Sequence, residues 1–195
     1  MQRRNFMLTA AVTLASGGLA LAGCTTTTGS NTSASSNMSK RQSIDSAVDS
    51  TLSRLYSTVH GSHELLAKSR GVLVFPEVLQ AGFIVGAQYG EGALRVGGAT
   101  VGYYSTVSGS FGLQAGAQSK ALIFAFMTQD ALDKFRATDG WAAGADASVA
   151  LVTVGANGTV DTNTATNPVE AFVLTNAGLM ADVSLAGTKV SRLKI

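Results

Sequence analysis

Residues 82–90 read GFIVGAQYG, and residues 112–120 read GLQAGAQSK. Each stretch has a glycine, three residues and then Gly-Ala-Gln, in largely hydrophobic surroundings. A phosphate-binding loop, a contact between membrane helices and a tightly packed sheet all use closely spaced glycines, because each brings backbone close to another group. The residues on either side therefore decide which of the three applies, and with it the fold.

The neighbouring residues favour strands of a sheet. A dinucleotide-binding loop needs a helix after its glycines, and a Walker loop ends in Gly-Lys followed by serine or threonine; neither pattern is present. Gln88, Glu91 and Arg95 interrupt the first stretch, so it offers no apolar run of membrane length. From residue 111 to residue 118, apolar residues alternate with glycine and glutamine. This alternation predicts a strand in a tightly curved sheet.

The chain after residue 70 also reads as strands and turns. Residues 71–75 (GVLVF) predict a short buried strand that Pro76 stops. Residues 128–137 (TQDALDKFRA) predict a short helix with Thr128 as its N-cap. Residues 109–127 predict either a strand pair or one long bent strand, and residues 157–168 a polar loop or hairpin. Further strands are expected at residues 81–98, 99–106, 145–156, 170–185 and 187–195.

An amphipathic helix precedes the strands. Its apolar residues recur at spacings of three and four, at Ile44, Val48, Leu52, Leu55, Tyr56 and Val59. Ser43 is a suitable N-cap, Gly61 ends the helix, and residues 63–69 predict a short second helix. The helix could pack on the sheet or lie on lipid, and its mixture of acidic and basic residues favours the sheet, because membrane-surface helices are usually more basic.

Together these elements predict an α+β fold. We expect a mainly antiparallel, glycine-rich curved sheet or barrel, with an N-terminal helix and a short inserted helix. Hydrophobic residues make up 46% of the 195 residues and charged residues 13%, which is typical of a chain with a sizeable core rather than a disordered one. The length fits one domain with an appendage.

Residues 1–23 have the three parts of an export signal: Arg3 and Arg4, an uncharged apolar segment, and small residues before Cys24. Residues 21–24 read Leu-Ala-Gly-Cys and resemble the lipobox of bacterial lipoproteins. We therefore expect the Cys24 thiol to carry a diacylglycerol, with palmitate among the acyl chains. The alternative is an unpaired cysteine at the end of an ordinary signal. The paired arginines leave both Sec and twin-arginine export open.

The predicted order is a signal peptide at 1–23, the lipidated Cys24 with a flexible polar tether at 24–39, and a folded domain at 40–195. The anchor would hold the protein in the bacterial cell envelope. In lipoproteins an aspartate after the cysteine often means retention in the inner membrane, so Thr25 favours the outer membrane. Loss of the signal removes two arginines and leaves 12 basic and 12 acidic side chains, so no nucleic-acid partner is expected.

The chain offers no convincing catalytic or metal-binding set. His60 and His63 stand beside Glu64, but a zinc site usually needs a further protein ligand, so two polar histidines near a helix end are expected instead. Ser110 lies in a Ser-Gly-Ser sequence and not in the Gly-x-Ser-x-Gly elbow of hydrolases. We therefore predict no enzyme activity, no catalytic residue, no metal and no cofactor.

Four basic residues near the predicted strand starts are candidate contacts for lipid headgroups. Charged side chains bind phosphate through charge-assisted hydrogen bonds. The alternative, at least as good, is that they are solvated loop charges. The four are Lys68, Arg70, Arg95 and Lys120.

Four ordered blocks resemble the SYLF domain family: SRGVLVFPEVLQAGFIVGAQYGEG, SGSFGLQAGAQSKALIFAFM, GADASVA and NAGLMADVSLAGTKV. The resemblance covers about residues 40–195. It implies a non-enzymatic domain that binds membrane phospholipids, phosphoinositides among them in eukaryotes, and bacterial members that are often exported lipoproteins. The family is also described in yeast actin-binding proteins, but an exported bacterial protein does not meet actin, so no actin role is expected.

The chain departs from the family pattern near its end, where members often have Gly-Val-Ser-Leu-Glu-Gly. Asp182 replaces the first glycine of that block and Ala186 replaces the glutamate. A further replacement puts Ala145 at the second glycine of Gly-Gly-Asp-Ala-Ser. If the glutamate takes part in binding in the family, this chain lacks it.

The expected function is that of a membrane-anchored lipoprotein whose SYLF-like domain binds phospholipid or a similar amphiphile. Membrane phospholipid is then both the anchor's environment and the ligand. The alternative is a structural or protein-interaction lipoprotein that has an envelope protein as its partner and no lipid ligand beyond its own acyl chains. An unrecognised hydrolase ranks third.

Overall fold

The computed structural model describes residues 29–82, 85–111, 118–153, 159–160, 167–180 and 183–195. Within these ranges the chain forms three helices and nine strands, which confirms the α+β prediction. The helices are α1 (Gly29–Thr58), α2 (Ser62–Lys68) and α3 (Gln129–Ala137). The strands are β1 (Gly71–Gly82), β2 (Val85–Val96), β3 (Ala99–Phe111), β4 (Gln118–Phe126), β5 (Trp141–Ala142), β6 (Val149–Leu151), β7 (Val169–Thr175), β8 (Gly178–Leu179) and β9 (Lys189–Arg192).

The strands form one strongly curled sheet, a half-barrel. Its order is β5-β9-β3-β2-β1-β4-β7-β6, and β8 pairs with β7. Consecutive strands β1, β2 and β3 pair as long antiparallel hairpins, whereas β4 returns to pair with β1 on its other side. Among the named strands the β6–β7 pair is parallel and the other pairs are antiparallel. The mainly antiparallel curved sheet is therefore confirmed.

The sheet is buried on both faces at its centre. Along β4, Leu122 and Phe124 point into one hydrophobic cluster, and Ala121 and Ile123 point into another. The first cluster is completed by α3 and by the fully buried Trp141. The second is completed by α1 and α2. Because both faces are covered, β1, β4 and β7 have near-continuous apolar runs rather than alternating ones.

Pro76 does not stop β1, contrary to the sequence prediction. The strand continues from Gly71 to Gly82, and its pairing shifts between Val74 and Glu77 on the β2 side and between Phe75 and Val78 on the β4 side. Pro76 sits within this irregularity, where its missing N–H interrupts no ladder hydrogen bond. A β-bulge thus carries the proline through the middle of the sheet.

The predicted amphipathic helix is confirmed, but it begins earlier than Ser43. Its apolar face is buried in the second cluster, and α1 ends at Thr58, before the positive φ of Gly61. At the other end α1 starts at Gly29, so residues 29–39, expected in the flexible tether, are helical. No proline interrupts this segment, and adding a turn to an existing helix costs far less than starting one.

The later elements follow the prediction with shorter strands. Thr128 caps α3, and its Oγ1 accepts a hydrogen bond from the backbone N–H of Ala131 at 3.2 Å. Residues 145–156 give the short β6, residues 170–185 give β7 and β8, and residues 187–195 give β9. Most of the predicted loop at 157–168 and the centre of the second glycine stretch, residues 112–117, lie outside the described residues.

Candidate functional site

An apolar row crosses three neighbouring strands near one end of the sheet. Leu79 of β1 pairs with Tyr89 of β2, which pairs with Val107 of β3. These side chains are 51%, 48% and 50% exposed. Residues that pair directly in neighbouring strands share a face of the sheet. The three therefore form a continuous exposed apolar strip, which we call the apolar row.

The apolar row lies on the face that carries α1, just beyond the helix. The Tyr89 hydroxyl donates to Glu91 Oε1 at 2.8 Å, and Lys40 Nζ donates to the same oxygen at 2.7 Å. Burial alone would raise the pKa of Glu91, but the hydrogen bonds from Lys40 and Tyr89 outweigh it and hold the pKa below its usual value. The N-terminal part of α1 therefore meets the sheet directly beside the apolar row.

Further along α1, Asp45 holds the helix against β3 through hydrogen bonds. Its Oδ1 accepts a hydrogen bond from Thr100 Oγ1 and its Oδ2 accepts one from the Tyr103 hydroxyl, both at 2.7 Å. Burial first, then the bond to Asp45 and its charge, raise the pKa of Tyr103. Since α1 also buries its apolar side chains on the sheet, the prediction that it packs there rather than on lipid is supported by polar and apolar contacts alike.

A groove of about 270 Å³ lies at the opposite end of the sheet, between α1, α2 and the β2–β3 turn. Arg70 and Arg95 both line it, so the structure brings two of the four predicted headgroup contacts together. Arg95 Nη2 lies 2.8 Å from Asp49 Oδ1 and 3.5 Å from Asp45 Oδ1. Arg95 therefore serves to hold α1, and Arg70, which is exposed, is the cation that a ligand in the groove would meet.

The other two predicted contacts lie apart from this groove. Lys68 is on α2, where its ammonium lies 3.0 Å from Glu64 one helical turn away, in an exposed ion pair. Lys120 is on β4, opposite Val78 and one residue from the Leu79 partner Ser119. It is half-buried, and burial lowers its pKa. The four basic residues therefore do not form one cluster.

The histidines give no sign of a metal site. His63 packs edge-on against the Tyr56 ring, with 4.8 Å between ring centroids, and the backbone of His60 pairs with Thr159 in an isolated bridge. Within the described part of the chain, no three or more histidine, cysteine or acidic side chains lie close enough to hold an ion. No helix of that part is both long enough and apolar enough to cross a bilayer.

The apolar row is the feature that the sequence did not reveal. Tyr89 occupies a position that reads as an ordinary strand residue, Leu79 lies between two predicted strands, and Val107 follows a predicted strand. Their exposure depends on where α1 crosses the sheet, which no local pattern specifies. The row could have been suspected only from the pairing of the three strands.

The model of a protein family described as Ysc84, Las17-binding protein actin regulator, matches residues 107–194. The matched segment runs from the end of β3 through β4 and α3 to the residues after β9. It confirms the resemblance to the SYLF domain family over these residues. A comparison with curated proteins gave no match.

Proposed function

Because residues 107–194 belong to the Ysc84 (SYLF) domain family, we propose that the chain is a lipid-anchored envelope protein whose folded domain binds phospholipid. Acylated Cys24 would supply the anchor, and the outer membrane would be its site. The proposed role needs no catalytic residue. The observation that carries the binding proposal is the apolar row, because three half-exposed apolar side chains side by side suit insertion between lipid headgroups better than contact with water.

The position of α1 supports the same orientation. Gly29, the first residue of α1, follows Cys24 by five positions, and α1 reaches the sheet at Lys40, next to the apolar row. Lys40 is eleven residues, or about 16 Å of helix, beyond Gly29, so the apolar row lies at the end of the sheet from which α1 extends toward the proposed anchor.

The arginine groove is the weaker surface for phospholipid. Arg95, one of its two cations, is already held by Asp49 and Asp45, and the groove lies at the end of the sheet away from the apolar row. Arg70 alone remains for a headgroup. We therefore expect Arg70→Ala to change vesicle binding little, whereas a charge placed in the apolar row should weaken it.

A matched pair of variants on β3 tests the proposal. Val107 belongs to the apolar row and is 50% exposed, while Val101 lies near the other end of the same strand and is 45% exposed. Residues 24–195 with Cys24→Ser, which cannot be acylated, would be sedimented with anionic vesicles at millimolar lipid. We expect Val107→Glu to lower the partition coefficient at least about fivefold, since charge is costly at an apolar lipid contact, and Val101→Glu to leave it within about twofold.

Two results would count against the proposal. If the parent protein does not sediment with vesicles that capture a positive control, the domain does not bind lipid, and the structural or protein-interaction alternative is preferred. If both glutamate variants bind equally well, lipid is bound elsewhere. A loss confined to Arg70→Ala would move the binding surface to the arginine groove.

A further inference from the structure

A small polar cavity lies on the face of the sheet opposite the apolar row. Its volume is about 30 Å³, enough for roughly two water molecules. Polar side chains from three strands and the 184–188 segment surround it, with Val78 and Leu122 at its apolar side. The polar lining consists of Gln88, Thr106, Ser108, Lys120, Ser184 and Thr188.

Two of these groups have no partner in the described part of the chain. Thr106 is 1% exposed, and its Oγ1 is buried without a hydrogen bond. Lys120 makes no hydrogen bond or ion pair within the described residues. An unpaired buried hydroxyl and an unpaired half-buried ammonium are each unfavourable. Their meeting in one cavity indicates a negatively charged acceptor that the described residues do not supply.

The direction of Lys120 follows from the strand. Alternate residues of β4 point to opposite faces, so Lys120 points to the same face as Leu122 and Phe124, which is the face of the cavity. Lys120 and its neighbours Ser119 and Ala121 also border a second, larger groove of about 360 Å³ beneath α1. Glu77 borders that groove, but it pairs with Glu91 on the α1 face and therefore does not face the cavity. No acidic side chain lines the cavity among the described residues.

We propose that this cavity binds the phosphate group of a ligand, with Lys120 supplying the charge and Thr106 a buried hydrogen bond. The hydroxyls of Ser108 and Thr188 line the same space and offer further donors. Donors on several sides suit the tetrahedral oxygens of phosphate better than the planar pair of a carboxylate. The small volume admits one or two phosphate oxygens and leaves the rest of the ligand outside.

Ala186 explains why the ammonium is available. It lines the cavity with Lys120, and its methyl group carries no charge. A carboxylate there would lie beside Lys120 and neutralise it within the chain. With alanine at this position, none of the described residues that line the cavity compensates the positive charge, and a ligand can supply the anion.

The test uses residues 24–195 with Cys24→Ser and inorganic phosphate as the probe. Binding to the folded state raises the melting temperature with phosphate concentration, measured at constant ionic strength against chloride. We expect a saturable increase in the parent protein and in Lys68→Met, whose exposed ammonium is paired with Glu64. Lys120→Met and Ala186→Glu should each weaken phosphate binding at least about tenfold.

A second arm distinguishes a lipid headgroup from free phosphate. Vesicles of phosphatidylcholine with and without phosphatidic acid are compared for the parent protein and Lys120→Met. A preference for phosphatidic acid that Lys120→Met removes assigns the cavity to a lipid phosphate, whereas phosphate binding without that preference assigns it to a soluble ligand. The site is refuted if neither phosphate nor phosphatidic acid is bound, or if Lys120→Met binds like the parent. Val107→Glu should leave phosphate binding intact, so the proposal for this cavity and the proposal for the apolar row can be refuted independently.

Discussion

A methyl group at Gly92 should strongly destabilise the fold. A Cβ built at Gly92 would lie 1.9 Å from the Val74 carbonyl oxygen and 2.8 Å from Phe75 Cδ1, whereas real Cβ contacts essentially never fall below 3.0 Å. The Val74 carbonyl group would have to move away by about 1 Å. It lies at the bulge of β1, a central strand with both faces buried. The glycine is therefore required by close backbone approach, not by an unusual φ angle.

The expected magnitude follows from what has to move. Overpacking that side chains can absorb costs about 1–3 kcal/mol, and here backbone must shift, so the cost should reach about 3 kcal/mol or more. Alanine also lowers the entropy of the unfolded chain, and this stabilises the folded state by about 0.4–1 kcal/mol. Gly92→Ala should thus lower the free energy of unfolding by roughly 2–3 kcal/mol or more.

Gly109→Ala is the matched control. Gly109 also lies within a strand, but no atom lies within 4 Å of the position that an alanine methyl would take there, so alanine should be neutral or stabilise by up to about 1 kcal/mol. Urea unfolding of both variants measures the difference through their midpoints, with the slope expected to stay constant. If Gly92→Ala is too unstable to purify, Gly90→Ala, whose Cβ would lie 2.7 Å from the Glu77 oxygen, provides a milder clash. Equal midpoints for the Gly92 and Gly109 variants would refute the close-approach reasoning.

Three other substitutions test the packing and the ionised groups. Lys40→Met should lower stability by about 0.2–1 kcal/mol at pH 7. Since the pKa of Glu91 is lowered in the fold, this loss should shrink as pH falls through that pKa, which urea unfolding at pH 7 and pH 3 would reveal. Glu170→Gln should stabilise the protein at pH 7 and change its stability little at pH 4. Burial raises the pKa of Glu170, so ionisation of its carboxyl group opposes folding as pH rises. A profile of melting temperature against pH tests this. Trp141→Ala should cost about 3–5 kcal/mol in urea unfolding, since this fully buried ring packs against three phenylalanine rings.

The sequence predicted correctly those features that depend on a few neighbouring residues. The Thr128 cap and the end of α1 before Gly61 were correct, because capping and positive φ are decided by a few neighbouring residues. Pro76 was misread because a proline normally ends a central strand, and only the pairing of β1 with both neighbours provides the bulge that accommodates it. The early start of α1 was missed because a serine-rich stretch also reads as a tether.

The candidate site depends on long-range pairing and was less predictable. Arg70 and Arg95 meet only because β1 and β2 pair so that Val72 lies opposite Arg95. The sequence marks Lys120 only as a basic residue near a strand start, whereas the proposed phosphate site also needs Thr106 on another strand and Ala186 far along the chain. Charge identifies these residues as candidates in the sequence. Which of them lie together depends on the register of the strands across the whole sheet.

The apolar row and the proposed acyl anchor would be most effective together. Each side chain of the row is already about half-buried, so full burial in lipid gains roughly 1 kcal/mol per residue, or about 3 kcal/mol for Leu79, Tyr89 and Val107. That corresponds to a dissociation constant on the order of 10 mM, which is weak for a free protein. A short tether from Cys24 would give an effective concentration in the millimolar range, so the row would be in contact with lipid for a substantial part of the time. The anchor would then keep the protein at the membrane and the row would orient it, with α1 connecting the two. Vesicle binding by the unacylated protein must accordingly be measured at millimolar lipid, where the ratio between Val107→Glu and Val101→Glu is informative even if only a fraction of the protein is bound.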